Sequence, residues 1–310
     1  MRNRGITVGA VVCAVCGVAG LFTAAHVTQP APCSVSSAQP GLYSACEGIV
    51  WETFRNKEHT FVTLFDGSPI SVPFFNFTGN ISVGDLLQVE GTVSLYNGDL
   101  EIIPKEYSIS KVLYGRCVDS VLYTEQGTFS VQLPDGDYAL VGTIEHGHIS
   151  IERKLEIPLV PLEGRICNVS TGSSPSTFFL YADPRTFVSS LPLSLGIIKG
   201  FGIQNGQEVR VLYYTWEELA ADSIVQAKKM PEGYPVTISG IIKAVTKSKG
   251  HIFVLVEDAT GSILVPIFSD MQPQLKVDNN TFREDQSLTV TGTIHVYRGT
   301  VELLPVVIHA

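Results

Sequence analysis

The chain has 310 residues, 45% hydrophobic and only 16% charged, with a formal net charge of −9. That balance excludes a disordered chain, and it excludes a protein that grips phosphate through bulk positive charge. The length suits about two to four small domains, and 28 Gly, 17 Pro, 15 Phe and 11 Tyr favour short strands separated by turns.

At the amino terminus, Arg2 and Arg4 precede an uncharged run from Gly5 to Ala25, and the next charged side chain is Glu47. A run of about twenty apolar residues is long enough to span a bilayer as a helix, and the flanking arginines keep the tip cytoplasmic. Residues 1–30 therefore read as a single-pass membrane anchor that leaves the carboxy-terminal bulk extracytoplasmic. The small residues Thr23, Ala24 and Ala25 keep a cleaved signal peptide open as the alternative, against which stands a run longer than the usual ~7–15 residues. Residues 31–43, rich in Pro, Ser and Ala, read as a linker to the first folded module.

Export makes the cysteines interpretable. Cys13 and Cys16 lie in the apolar run without a charged or His partner and read as small packing residues. Cys33, Cys46, Cys117 and Cys167 form an even set in an oxidising compartment, so two disulfides are expected among three connectivities. The preferred pairing is Cys33 with Cys46 and Cys117 with Cys167. Asn76-Phe-Thr, Asn80-Ile-Ser, Asn168-Val-Ser and Asn279-Asn-Thr match the N-glycosylation pattern, which suits an exported surface.

An internal repeat divides the rest. VEGTVSLYNGDLEIIP at 89–104 recurs as VTGTIHVYRGTVELLP at 290–305, GIVWETFRNKEHTFV from Gly48 aligns with GIIKAVTKSKGHIFV from Gly240, and VPFF at 72–75 aligns with VPIF at 265–268. Within each copy apolar residues alternate over short runs broken by Gly, Asn, Asp and Pro, the pattern of half-buried antiparallel strands. In the last copy strands are expected over Pro235–Ala244, His251–Asp258, Gly261–Phe268, Ser287–Val296 and Thr300–Val307, with Tyr297, Arg298 and Gly299 turning the final hairpin. The longest gap, Ser269–Gln286, falls between the third and fourth strands.

The two copies resemble OB-fold domains of the single-strand-binding and anticodon-binding type. The resemblance rests on Gly48-Ile-Val and Gly240-Ile-Ile, the Asp66-Gly and Asp258-Ala-Thr-Gly turns, Val83-Gly-Asp, and the Gly91-Thr-Val and Gly292-Thr-Ile strands. It implies an all-β chain of tandem five-stranded Greek-key barrels, with OB-folds at 44–110 and 233–310. Residues 162–232 read as a degenerate OB-fold with a helical turn near Thr215-Trp-Glu-Glu, a capping-box spacing. Residues 111–161 read as a β-meander or an incomplete OB-fold.

The resemblance further implies a ligand face along strands two and three, framed by the loops between strands one and two and between strands four and five. In the last copy this selects Lys243, Lys247, Lys249, His251 and Phe253, with Tyr297 and Arg298; in the first it selects Trp51, Arg55, Lys57, Phe61 and Tyr96. The first copy is the weaker candidate because Glu52 and Glu58 offset its charge. The competing reading assigns Phe61 and Phe253 to the core and leaves the lysines as a solvated loop.

Catalysis is not expected, since the sequence holds no phosphate loop, nucleophile elbow or Cys/His zinc cluster among its exported residues, and no cofactor is expected. His146-Gly-His148 would put two rings on one face of a strand without a third metal ligand. A membrane-anchored OB barrel also resembles the haem chaperones of cytochrome c maturation, but neither His295 nor His309 is followed by Tyr four residues later, as that resemblance requires. The leading expectation is binding of single-stranded nucleic acid or a similar extended anionic polymer, with the membrane as a further partner through the anchor. A structural module that meets envelope proteins, favoured by the acidic charge, and an oligosaccharide binder are the rivals.

Overall fold

The computed structural model describes residues 30–170, 175–190, 193–278 and 280–309. The expected anchor and Asn279 lie outside them. Among the described residues no helix is long and apolar enough to cross a membrane. The chain divides into two compact units, one through Val112 and one from Leu113 onward.

In the first unit, β1 (Ala31–Cys33), β2 (Tyr43–Asn56), β3 (His59–Phe65), β4 (Pro69–Phe74), β5 (Leu86–Tyr96) and β6 (Asp99–Ser110) form a sheet ordered β1-β2-β3-β4-β6-β5. Pairing of β2 with β5 closes the last five strands into a barrel, the OB order. Closure requires one strand to serve two neighbours. Residues 43–49 of β2 pair with β5 and residues 49–56 with β3, and a bulge at Trp51 bends the strand between these partners. Alternation sends Val50, Val62, Leu64, Val72, Leu87, Val89 and Ile102 into the core.

In the second unit the last sheet repeats this plan. β17 (Ala221–Asp222), β18 (Pro235–Ser248), β19 (His251–Asp258), β20 (Gly261–Ile267), β21 (Ser287–Tyr297) and β22 (Thr300–His309) lie in the order β17-β18-β19-β20-β22-β21, closed by β18 with β21. The four-residue helix Gln272–Leu275 occupies the expected gap between the third and fourth barrel strands. Ile238, Ile242, Ile252, Val254, Val256, Val265 and Leu303 form the core.

Between these barrels are two more sheets. Strands β12 (Val160–Ser170), β13 (Ser176–Leu180), β14 (Thr186–Ser189), β15 (Ile197–Asn205) and β16 (Glu208–Glu217) make a third closed barrel in the same order, with Phe178 stacked on Phe187 at 5.3 Å. The helical turn expected at Thr215 is instead strand. Thr215, Trp216 and Glu217 pair with Lys199, Ile198 and Ile197, and this ladder outweighs the local capping-box spacing. Ahead of it, β7 (Val112–Val118), β8 (Val121–Thr124), β9 (Gly127–Ser130), β10 (Gly136–Glu145) and β11 (His148–Lys154) form a sheet ordered β11-β10-β7-β8-β9. That is the barrel order opened between its third and fifth strands. With only four residues each, β8 and β9 supply little ladder for closure. His146 sits in the β10–β11 turn at φ +50° rather than in a strand beside His148.

The 31–43 segment, expected as a tether, carries structure. β1 pairs in parallel with β2, a 3-10 turn at Val35–Ser37 follows, and Val35 and Ala38 are buried in the first core. The turn is fixed by an Asp: Val35 N–H donates to Asp66 Oδ2 at 2.7 Å. The last barrel has the same clasp, built from β17 and the helix Ile224–Ala227, where Ile224 N–H donates to Asp258 Oδ2 at 2.8 Å. Small and weakly apolar residues give such a clasp no periodic signature, so the segment reads as a linker by composition.

Asp258 also accepts from the Thr260 N–H and hydroxyl and from the Gly261 N–H. Burial acts to raise its carboxyl, but these donors and the Ile224 N–H outweigh it and hold the group below the ordinary aspartate value. A depressed folded-state value contributes stability that is present above the unfolded aspartate value of about 3.9 and is lost as pH falls through the folded one. Denaturant midpoints measured from about pH 6 down to about pH 2.5 are expected to fall less steeply in Asp258→Asn than in the wild type; parallel curves would remove Asp258 from the acid response.

The cysteines require one correction. Cys33 and Cys46 are disulfide-bonded, whereas Cys117 and Cys167 are free thiols. They belong to separate sheets: Cys117 faces the core of its own sheet beside Leu113 and Leu122 with its Sγ–H directed at the Leu133 carbonyl, and the Cys167 thiol is directed at the Phe179 carbonyl in β13. Burial pushes both thiols up, away from the reactive thiolate.

Candidate nucleic-acid interface

The outer faces of β18, β19 and β20 follow from register. Thr246 pairs with Phe253, which pairs with Pro266; Ala244 pairs with Leu255, which pairs with Leu264. Since Ile252, Val254 and Val256 point inward, His251, Phe253 and Leu255 point outward. Phe253 is half-buried and stands outside the core cluster, which corrects the reading that assigned it to the core. The same holds for Phe61, an outward residue of β3 paired with Pro73 and 6.3 Å from the exposed ring of Phe54.

His251 is locked in place. Its Nδ1 accepts the Ser269 N–H at 3.1 Å, and its ring meets Phe268 edge-on at 5.4 Å and Phe253 at 6.5 Å. An accepting Nδ1 leaves the proton of the neutral ring on Nε2. The first barrel repeats the arrangement, with Asn76 N–H directed at His59 Nδ1 at 3.4 Å and Phe75 edge-on at 5.4 Å. In the sequence Phe75 and Phe268 stand only as markers of the repeat, and their identical place after VPF and VPI is the signal for this contact.

The lysines separate. Lys243 occupies the β18 bulge and pairs with Glu257 at 3.1 Å, so its charge is offset. Lys247 pairs in register with the inward Ile252, placing it on the face opposite Phe253. There it joins the Asn280 N–H and the Thr281 hydroxyl in holding the Asp278 carboxyl low. Lys249 forms the tip of the β18–β19 hairpin at φ +50°, followed by Gly250 at φ +84°, and Gln272 Nε2 anchors that tip by donating to the Gly250 carbonyl at 2.7 Å.

Tyr297 and Arg298 lie on the β21–β22 hairpin. Tyr297 is 51% exposed and Arg298 stands 5.2 Å over its ring. The turn itself is Arg298-Gly299, both at positive φ, as are Asn97 and Gly98 beside the exposed Tyr96 in the first barrel. Of the other first-barrel candidates, Trp51 is only 5% exposed and packs on Phe65, Arg55 donates to the Phe77 carbonyl at 3.1 Å, and Lys57 is exposed at its hairpin turn. The structure thus gathers His251, Phe253 and Phe268, leaves Lys249 at the neighbouring tip, and sets Lys243 and Lys247 apart. Among the described residues no group of three His, Cys, Asp or Glu is placed to hold a metal ion.

Residues 236–308 match the family model of the OB-fold nucleic acid binding domain. No curated protein sequence matches the chain. Among solved structures, a replication protein A heterotrimer bound to ssDNA is 17% identical over 24% of this chain and 55% of its own, about half its length, with a TM-score of 0.20. The hypothetical protein ygiW from E. coli is 20% identical over 29% of this chain and 88% of its own, with a TM-score of 0.24. Fission yeast Pot1 with ssDNA is 9% identical over 88% of this chain and 81% of its own, also at 0.24. Among the described residues, three closed five-stranded barrels share the OB order and one sheet has that order but is open, and the last barrel matches the nucleic-acid-binding family model.

Proposed function

We propose that this protein is a non-enzymatic, membrane-anchored, extracytoplasmic OB-fold protein that binds single-stranded nucleic acid, or a similar extended anionic polymer, through its last barrel. The observation that carries the reading is the outward Phe253 beside a positioned His251 in the segment that matches the nucleic-acid-binding family. Phe253 offers a stacking platform, Nε2–H of His251 a donor, and Lys249 at the hairpin tip a charge for the backbone. The exposed Tyr297 with Arg298 adds a second aromatic and cationic element. Base stacking on one aromatic contributes about 1–3 kcal/mol in single-strand binders, which suits a site that relies little on charge.

The test is fluorescence anisotropy of a labelled single-stranded oligonucleotide titrated with the detergent-solubilised full chain at low and then moderate salt. Phe253→Ala is expected to weaken binding by about fivefold to a hundredfold, and Lys249→Glu is expected to lower the salt slope by about 1. Absence of binding at low salt would sink the reading. A structural role among envelope proteins then takes its place, favoured by the −9 net charge and by the joint between the third and last barrels. In that joint the Arg165 guanidinium lies 5.0 Å over the Tyr234 ring and donates to the Pro235 carbonyl, while Tyr181 meets Tyr234 at 4.9 Å.

A further inference from the structure

The seam between the third and fifth strands differs in chemistry between the two outer barrels. In each, these parallel strands share a single rung, Ser71 with Glu101 in the first and Leu264 with Glu302 in the last. Beyond that rung the seam must be filled by side chains. In the last barrel aliphatic residues do so: Ile267 is fully buried and Ile308 packs against the same core. Val306 occupies the strand-five bulge beside Gly292 and Pro305.

The repeat places Phe74, Tyr107 and Lys105 of the first barrel where the last has Ile267, Ile308 and Val306. Register confirms the correspondence: Phe74 pairs with Thr60 as Ile267 pairs with Ile252, Tyr107 pairs with Val89 as Ile308 pairs with Val290, and Lys105 lies in the same bulge beside Gly91 and Pro104. Here the seam holds a cavity of about 310 Å³ lined by Phe74, Phe75, Phe77, Pro104, Lys105 and Tyr107 among others. Phe74, Phe77 and Tyr107 form one ring cluster with centroids 5.1 to 5.8 Å apart, yet Tyr107 stays 49% exposed and Phe75 59%. The last barrel carries aliphatic side chains at the three corresponding positions, so the fold does not demand Phe74, Lys105 and Tyr107 there. Its volume lies at the lower end for small-ligand sites, and its walls present ring faces.

Resting on the reading of the chain as a single-strand binder, we infer that this cavity is a second, separate site that takes one unstacked base of a single strand. The base stacks against the exposed rings of Phe75 and Tyr107, and Lys105 at the rim meets the adjoining phosphate. The ligand class follows from the pairing of flat aromatic walls with a single cation, which suits a planar base carrying one negative charge. The site is built on the third and fifth strands, bordering the strand-two face through the Phe75–His59 contact, and draws its cation from Lys105 rather than from the β2–β3 hairpin, whose positive charge Glu52 and Glu58 offset.

The experiment is calorimetric titration of the detergent-solubilised full chain with a tetrathymidylate at low salt, reading the number bound. Two per chain are expected, falling to one in Phe74→Ile/Lys105→Val/Tyr107→Ile, which installs the residues that the last barrel already accommodates. Phe75→Ser, at an exposed position, is expected to give the same loss and guards against a folding defect in the triple variant. Two bound in both variants would overturn the inference. One bound in the wild type, lost in Phe253→Ala/Lys249→Glu but kept in the triple variant, would overturn it while leaving the last-barrel function standing. No binding at all would remove both.

Discussion

Gly292→Ala is expected to destabilise the last barrel by about 3 kcal/mol, a large effect for one methyl group. Gly292 sits in β21 opposite the β22 bulge at Val306, where β22 folds back closely against it. A Cβ built there would lie far inside contact with the Leu304 carbonyl oxygen, 2.8 Å from its carbon and 3.0 Å from the Pro305 Cα. All three are backbone atoms of the partner strand, so no rotamer change relieves the clash and the hairpin must part. Gly91 meets Ile103 in the same way at the corresponding bulge, and Gly91→Ala carries the same expectation for the first barrel. Gly299 is the internal contrast. It has φ +81° but open space around it, so Gly299→Asn, a residue that tolerates this conformation, is expected to cost under about 1 kcal/mol. Urea unfolding of the variants checks the order; a Gly292→Ala midpoint equal to the wild type would refute the steric account.

The same positions show what was legible in the sequence. The Gly-Thr strands and the hairpin turn after them are legible because the Tyr-x-Gly turn and alternating β-branched residues are local signals, and the strand over His251–Asp258 falls where that alternation places it. That Gly292 is needed for a backbone approach from twelve residues away is a tertiary fact with no local trace. Parity decides the site in the same manner. His251 and Phe253 share a face because they are two residues apart, but only the cross-strand register shows that this face is outward and that Lys247 belongs to the other. A count of lysines in a loop cannot make that distinction. Phe75 and Phe268 were visible as aligned letters, while their edge-on contact with a histidine depends on the way the chain turns after strand three.

Cysteine pairing separates local from distant information just as clearly. Cys33 and Cys46 are close in sequence, and parallel pairing of β1 with β2 brings them to the same rung. Cys117 and Cys167, the other half of the preferred connectivity, lie in different sheets and are free. An even count of cysteines in an oxidising compartment therefore carries less than the sheet that each one enters.

Replacing both Cys33 and Cys46 with alanine is expected to lower the stability of the first barrel by about 3 kcal/mol, the entropy released by opening a short loop in the unfolded chain. The bond joins residues 13 apart. For a domain of this size that corresponds to a fall in melting temperature of roughly 10 to 20 °C. The native clasp itself is expected to persist, because the last barrel holds its counterpart without a disulfide. There Asp222 and Ile238 occupy the rung equivalent to Cys33 and Cys46, and the helix is retained by Asp258 at the Ile224 N–H and by the Thr260 hydroxyl at the Val225 N–H. The first clasp has the matching bond from Val35 to Asp66. Hydrogen exchange at the Val35 amide separates the two contributions: in the double alanine variant it should remain slow relative to an exposed amide while thermal unfolding of the first unit moves to lower temperature. Loss of that protection together with an unchanged melting temperature would mean that the disulfide holds the clasp in the native state rather than restricting the unfolded chain.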